Sequence, residues 1–428
     1  MIARISPSKI SGTINAPSSK SSMQRACALA LISGGTTVIQ NAGKSNDELA
    51  ALDIIRKLGA TVETLRNEIV ITSSDLIFTS TDKKKHTVVS CGESGLSLRM
   101  FVPVAALFNH DITFTGGGSI LTRPIDFFDD VLPKLKVSVE SNNGRLPITI
   151  KGPMKPVAIE VDGSLSSQFL TGLLIAFAKS CTEPVSIKVK NLASKPYISL
   201  TLDMLNQFGF QIENENYEKF MILPRKKMST LSIKYQVEGD WSNTAFLLVA
   251  GAIAGEVTVK GADMNSTQGD KKIMNALESC GAFVKIDKSG INVKKGALSA
   301  FNFDATHCPD LFPPLVALAS YCKGNSVIQG VGRLLHKESN RGLTLKKEFA
   351  KMNVAIELND DSMIIKGGKE IKGAKVTSHN DHRIAMACAV AGLGAKGTTE
   401  ITEAEAVKKS YPQFFDDIKF LKGALQVL

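Results

Sequence analysis

A pattern recurs six times along these 428 residues. It consists of a polar cluster, a helix rich in Ala, Leu and Gly, a Gly-containing turn, a β-branched strand and an amphipathic helix. The clusters are SSK at Ser18–Lys20, GESG at Gly92–Gly95, SSQ at Ser166–Gln168, GDWS at Gly239–Ser242, PD at Pro309–Asp310 and HNDHR at His379–Arg383. They lie roughly 70–75 residues apart, so six copies of one supersecondary unit account for the chain.

The second half of the pattern repeats as well. GGTTVIQ, HDITFTG, EPVSIKV, GEVTVKG, GNSVIQG and GTTEITE alternate and are β-branched, which predicts short strands. Most precede a helix ending in IIRKLGATVE, MLNQFGFQIE, ALESCGAFVKI or FAKMNVAIE, where Gly or Asn353 is placed as a C-cap. The polar, basic stretch Leu223–Gly239 reads as a hinge between two three-unit lobes, each of ordinary domain size.

Composition narrows the class. The chain is 43% hydrophobic and 21% charged, and its apolar runs, such as AFLLVAGAIAG, fall short of the ~20 residues that span a bilayer. MIARISPSK lacks the apolar core of a signal peptide, so a cytoplasmic protein that starts here is expected. Seven cysteines without a CxxC pair argue against structural zinc and a disulfide framework, and read as reduced thiols, mostly in the core. A net charge of +10 calls for an anionic partner, while 6% aromatic residues is low for a protein that stacks bases.

Each unit's first helix is apolar nearly all round and should be buried, leaving an N-terminus that favours anions. Ser18, Ser19, Ser166 and Asp240 have a plain reading as N-caps there. The cations do not. Lys20, Arg25, Arg99, Arg123 and Arg383 lie in or near helix starts, where the macrodipole disfavours positive charge. In HKESNRG, Lys337 and Arg341 flank Glu338 with a spacing that also suits a solvated helix face, and VKKSYP adds Lys408 and Lys409. Unpaired cations gathered on one cleft would repel until a multiply charged anion bound them, and arginine's planar fork fits carboxylate and phosphate. Asp310, Glu338 and His382, set among these cations, carry protons. Anion capture has no use for carboxylates, whereas proton transfer does.

In this order, SSKSSMQR, DGSLSSQFLTGLL, SKPY, STQGD, KESNR, HNDHR and KKSYP resemble the 5-enolpyruvylshikimate-3-phosphate synthases, over the full chain. The resemblance implies an α/β fold, a two-lobed inside-out α/β barrel of six βαβαββ repeats, three per lobe, with buried helices surrounded by sheets. Residues 1–18 and 239–428 would form the C-terminal lobe, and 19–238 the N-terminal lobe. The active site would lie in a cleft that closes on phosphoshikimate. The implied reaction moves the carboxyvinyl group of phosphoenolpyruvate onto the 5-hydroxyl of shikimate 3-phosphate and releases phosphate, on the route to chorismate and the aromatic amino acids. Neither metal nor cofactor is implied, cationic side chains supplying the electrostatic stabilisation. The only partners are the two small substrates, with no nucleic acid or membrane, and the chain is expected to be a monomer.

Carried over by motif, Lys20, Ser21 and Arg25 would contact both substrates. Ser166, Ser167, Ser194, Tyr197 and Lys337 would hold phosphoshikimate, with Asp310 beside it and Gln168 between the two substrates. Gly95, Arg123, Arg341, Arg383 and Lys409 would hold phosphoenolpyruvate, with Arg99 in support. Asp310 is the candidate base for the hydroxyl, and Glu338 and Lys20 are candidates for the methylene proton transfers. Lys409 and His382 would assist the departing phosphate.

Departures from the family pattern are Glu93, Leu96 and Met100 in GESGLSLRM, Arg333, and SNR in KESNR. They bear on the affinity for each substrate and for glyphosate, which occupies the phosphoenolpyruvate site in this family. A UDP-N-acetylglucosamine enolpyruvyl transferase has the same fold and donor, but most carry a reactive cysteine where GGGSILTRP has none. A basic scaffold for nucleic acid would account for the charge and repetition, though not for Asp310, Glu338 and His382.

Overall fold

The computed structural model describes residues 1–66, 68–79, 86–225 and 232–428. Its helices alternate in character. In chain order they are α1 (Lys20–Ser33), α2 (Asn46–Lys57), α3 (Gly95–Ala105), α4 (Phe127–Val131), α5 (Ser167–Ser180), α6 (Lys195–Gln207), α7 (Trp241–Ala254), α8 (Ile273–Ser279), α9 (Phe312–Tyr321), α10 (Arg341–Lys351), α11 (His382–Gly392) and α12 (Phe414–Phe420). The odd-numbered six are the Ala- and Leu-rich helices of the repeat, and they are almost wholly buried; all fourteen residues of α7 are. A helix apolar all round can satisfy its side chains only in the interior. The longer outer helices are amphipathic and bury one face, as α10 does with Leu345, Glu348 and Phe349.

Among the described residues there are six four-stranded sheets, three in each half of the chain's repeats, all with one strand order and one pattern of strand directions. In the second repeat, His86–Ser90 runs parallel to Asp111–Thr115, with α3 as the crossover. Ile148–Lys151 then pairs antiparallel with Asp111–Thr115, and Ser138–Ser141 closes the edge as the other arm of a hairpin. A parallel pair requires a crossover of about a dozen residues, which the buried helix supplies. The six β-branched segments read in the sequence are the strand after each buried helix, and each lies inside its sheet. Gly59, Gly209, Gly281 and Asn353, the expected C-caps, all have positive φ, the left-handed conformation that ends a helix.

By contact the chain divides into two compact units, residues 1–17 with 238–428, and residues 18–237. The crossings fall one residue before the boundaries read in the sequence. Each unit holds three sheets and its own apolar core. Ile10–Asn15 precedes α1 in the chain yet pairs with Gly255–Lys260, whereas Ser232–Gln236 precedes α7 yet pairs with Gly35–Gln40. Two repeats have therefore exchanged their first strands. Ile2–Ile5 supplies the last repeat with its fourth strand, between Thr399–Thr402 and Leu425–Val427.

The hinge expected at 223–239 needs correction. Residues 226–231 lie outside the described ones, but Ser232–Gln236 is a strand bonded in register to Gly35–Gln40. Its polar residues face outward, which is why composition alone read as a linker. The seven cysteines are free thiols and all are buried. Among the described residues no helix is long and apolar enough to cross a membrane.

Candidate active site

In residues 18–237 the starts of α1, α3, α5 and α6 are tied together by polar side chains. Ser19 and Ser166 are N-caps, each accepting a main-chain N–H through its hydroxyl, so the plain reading holds for them; α3 is capped by Ser94. Arg25, buried in α1, donates to the carbonyl of Ser21 (2.9 Å), the carbonyl of Tyr197 (3.2 Å) and the hydroxyl of Thr201 (2.9 Å). It thereby fixes Ser21 and Tyr197 relative to each other. Ser194, the N-cap of α6, is buried and left-handed at φ 54°. Lys20 pairs with Asp47 of α2 at 2.8 Å.

Arg99 in α3 donates to the Gln168 side-chain oxygen at 3.1 Å, and its guanidinium lies over the Phe169 ring. Gly95 explains itself here: a Cβ at this position would stand 2.7 Å from Arg123 Nη1 and 3.2 Å from Arg99 Nη1. Only glycine lets both guanidinium groups approach the α3 N-terminus this closely. Arg123 also donates to the Ser119 hydroxyl at 3.4 Å. Glu93, a departure from the family pattern, accepts the Ser119 N–H at 3.3 Å and ties that segment to the start of α3. Leu96 and Met100 are buried core residues.

Among residues 238–428 the pattern changes. Asp310, in the turn before α9, accepts from Arg341 Nη1 (2.8 Å), Lys337 (3.2 Å) and Arg383 (3.1 Å). Burial alone would raise the Asp310 pKa, but Arg383, Lys337 and Arg341 outweigh it and hold the carboxyl well below the usual range. Lys337 is pushed down by burial, with Asp310 opposing that shift. Arg341, the first residue of α10, bonds Glu338 as well and grips Asp381 through Nε at 2.8 Å and Nη2 at 3.3 Å. Those carboxylates overcome the cost of its burial and raise its pKa. Arg333 feels Asp310 and Asp361, though burial still lowers its pKa.

Lys337 precedes α10 and Arg341 begins it, so the two do not share a solvated helix face. Nor are these cations unpaired, as the charge pattern leads one to expect. Each shares Asp310, and the repulsion between them is compensated on the spot.

Asp381 carries HNDHR. It is the N-cap of α11, accepting the Arg383 N–H at 3.0 Å, and it is fully buried under Arg341 and the Ser339 hydroxyl. His382 and Arg383 follow as the first helical residues, where a carboxylate cap offsets the dipole that disfavours them. Lys409, buried, donates to the Asn380 carbonyl at 2.5 Å. Asp240 caps α7 through the Asn243 N–H at 2.8 Å.

Three residues that the sequence does not single out hold these segments together. Gln24 donates from α1 to the Asp47 carbonyl and to the hydroxyls of Ser94 and Ser97, linking three helix starts. Asp47 holds Lys20. Asp381 lies within HNDHR, and an Asp directly before a buried helix is an N-cap signal. Nothing local marks Gln24 or Asp47.

A family profile described as EPSP synthase (3-phosphoshikimate 1-carboxyvinyltransferase) matches residues 5–418. Relatives named 3-phosphoshikimate 1-carboxyvinyltransferase include one from Clostridium novyi, 36% identical over 99% of this chain and 98% of its own. Another, from Methanocorpusculum labreanum, is 36% identical over 97% of each. The solved EPSP synthase of Acinetobacter baumannii superposes with a TM-score of 0.80, covering 100% of both chains at 23% identity, a likeness of fold. With the profile matched across nearly its whole length and relatives aligned end to end, the chain belongs to the EPSP synthase family.

Proposed function

We propose that the two residue sets divide the transfer of the carboxyvinyl group of phosphoenolpyruvate to the 5-hydroxyl of shikimate 3-phosphate, with release of phosphate. One observation carries this reading. Lys337, assigned to phosphoshikimate, and Arg341 and Arg383, assigned to phosphoenolpyruvate, meet on one carboxylate, Asp310. A base that takes a proton from the acceptor hydroxyl while the donor carbon is attacked belongs at the junction of the groups that hold acceptor and donor.

Arg383, Lys337 and Arg341 stabilise the ionised form of Asp310 and so keep it a weak base. When substrate phosphate and carboxylate groups engage Arg383, Arg341 and Lys337, that stabilisation is shared with the new anions. The proton affinity of Asp310 then rises, at the moment a base is required. Lys20, Ser21, Arg25, Ser166, Ser167, Gln168, Ser194 and Tyr197 serve phosphoshikimate, while Gly95 and Arg123 leave room and charge for phosphoenolpyruvate. Glu338 and Lys20 handle the methylene protons. Lys409 and His382 meet the leaving phosphate.

The test is phosphate release from phosphoenolpyruvate. Release that depends on shikimate 3-phosphate is expected. Release with UDP-N-acetylglucosamine as acceptor, or no dependence on either, overturns the reading.

A further inference from the structure

The segment before α11 is strained and doubly clamped. His379 and Asn380 are consecutive and both left-handed, at φ 51° and 53°. Residues with side chains adopt this conformation uncommonly, and two in succession persist where the surroundings over-determine them. Glu348 of α10, fully buried, accepts the Thr377 N–H at 3.0 Å, His379 Nε2 at 2.9 Å and Lys351 at 2.6 Å. Its ionised carboxylate can only accept, so His379 Nε2 carries the proton. From the other side Glu403 accepts the Asn380 N–H at 2.9 Å and the Thr377 hydroxyl at 3.2 Å, and its carbonyl accepts the Ser378 hydroxyl at 2.9 Å.

What the clamp fixes is the next bond. With its N–H held by Glu403, Asn380 turns its carbonyl to the Lys409 ammonium at 2.5 Å. One residue later Asp381 receives Arg341 and caps α11. We propose that Glu348 and His379 are positioning residues for the phosphoenolpyruvate half of the site. They hold the left-handed turn whose carbonyl aims Lys409. This rests on the site reading given above. Neither residue would touch substrate: Glu348 is closed off from solvent, and the His379 ring is directed at Glu348.

The experiment compares His379→Ala, His379→Gln, Glu348→Gln and Lys409→Ala in steady-state kinetics with both substrates varied. His379 is half-buried, so its variants should fold even if Glu348→Gln does not. His379→Ala should raise KM for phosphoenolpyruvate about tenfold while changing KM for shikimate 3-phosphate less than about twofold. His379→Gln, which restores a donor, should recover most of the loss. Impaired Lys409→Ala with normal His379→Ala removes the clamp alone. Unchanged KM for phosphoenolpyruvate in Lys409→Ala removes the site reading beneath it, and the proposal with it. Parallel losses for both substrates in His379→Ala would mean a merely structural role.

Discussion

Arg25 and Arg341 are both almost completely buried, one in each unit, yet they are satisfied differently. Arg25 donates to two main-chain carbonyls and two threonine hydroxyls, from Ser21, Tyr197, Thr201 and Thr171. Arg341 donates to three carboxylates, Asp310, Glu338 and Asp381. Neutral oxygens orient a guanidinium without taking or giving protons, so these four bonds fix Arg25 between the helix starts. Carboxylates cancel charge and can take protons, so Arg341 belongs to a network whose balance shifts when a ligand or a proton arrives. The contacts of Arg25 are of a kind that holds, and those of Arg341 are of a kind that can also exchange protons.

Breaking the reactive side should have the largest effect. Asp310→Asn or Glu338→Gln should lower kcat by about 10²–10⁴-fold, the usual worth of a positioned acid or base, with phosphoshikimate binding largely retained. Near-normal rates in both variants would erase the distinction between the two arginine networks. Binding is read by equilibrium titration, turnover by phosphate release.

Stability should separate the two arginines next. Asp381→Asn leaves Arg341 buried with its main partner uncharged, which should cost about 3–5 kcal/mol. Thr201→Val removes one neutral acceptor from Arg25 and should cost about 1–3 kcal/mol. Urea midpoints at constant slope report both. Equal costs would mean that the kind of partner does not matter, and the comparison would fail.

Much of this was legible beforehand because the repeat is periodic. Six buried helices, six central strands and the left-handed caps at Gly59, Gly209, Gly281 and Asn353 follow from alternation, apolar runs and glycine placement. Lys20, Arg25, Arg99, Arg123 and Arg383 stood out because each breaks a local rule, and sites tend to lie where local rules are broken. Pairing between distant residues was not legible. Asp310 and Arg383 are 73 residues apart, and Asp310 and Arg341 are 31 apart, so no spacing announces that they share a bond. The close approach of α3 and α5 was hidden as well. A Cβ on Gly172 would lie 2.7 Å from the Arg99 carbonyl oxygen, a constraint that resides in the packing alone. Ser232–Gln236 misled because an edge strand with polar outward residues has a linker's composition.

The smallest effect is the one with the clearest sign. Asp310 is ionised more readily in the folded chain than in the unfolded one, so its contribution to stability is present above the unfolded carboxylate pKa of about 3.9 and is lost as pH falls through the folded value. Glu348 behaves the same way, since Lys351 and His379 prevail over its burial. Asp417, raised by burial against the Tyr411 bond, works in the opposite direction. Subtracting the stability of Asp310→Asn from that of the unmodified chain cancels Glu348 and Asp417 and leaves Asp310. That difference should be level from pH 7 to about 5 and shrink below about pH 4. The same subtraction for Thr201→Val should stay flat throughout, because a threonine hydroxyl binds no proton in that range. A Thr201→Val difference that closes in acid along with the Asp310→Asn one would show that Arg25, too, depends on a titrating partner.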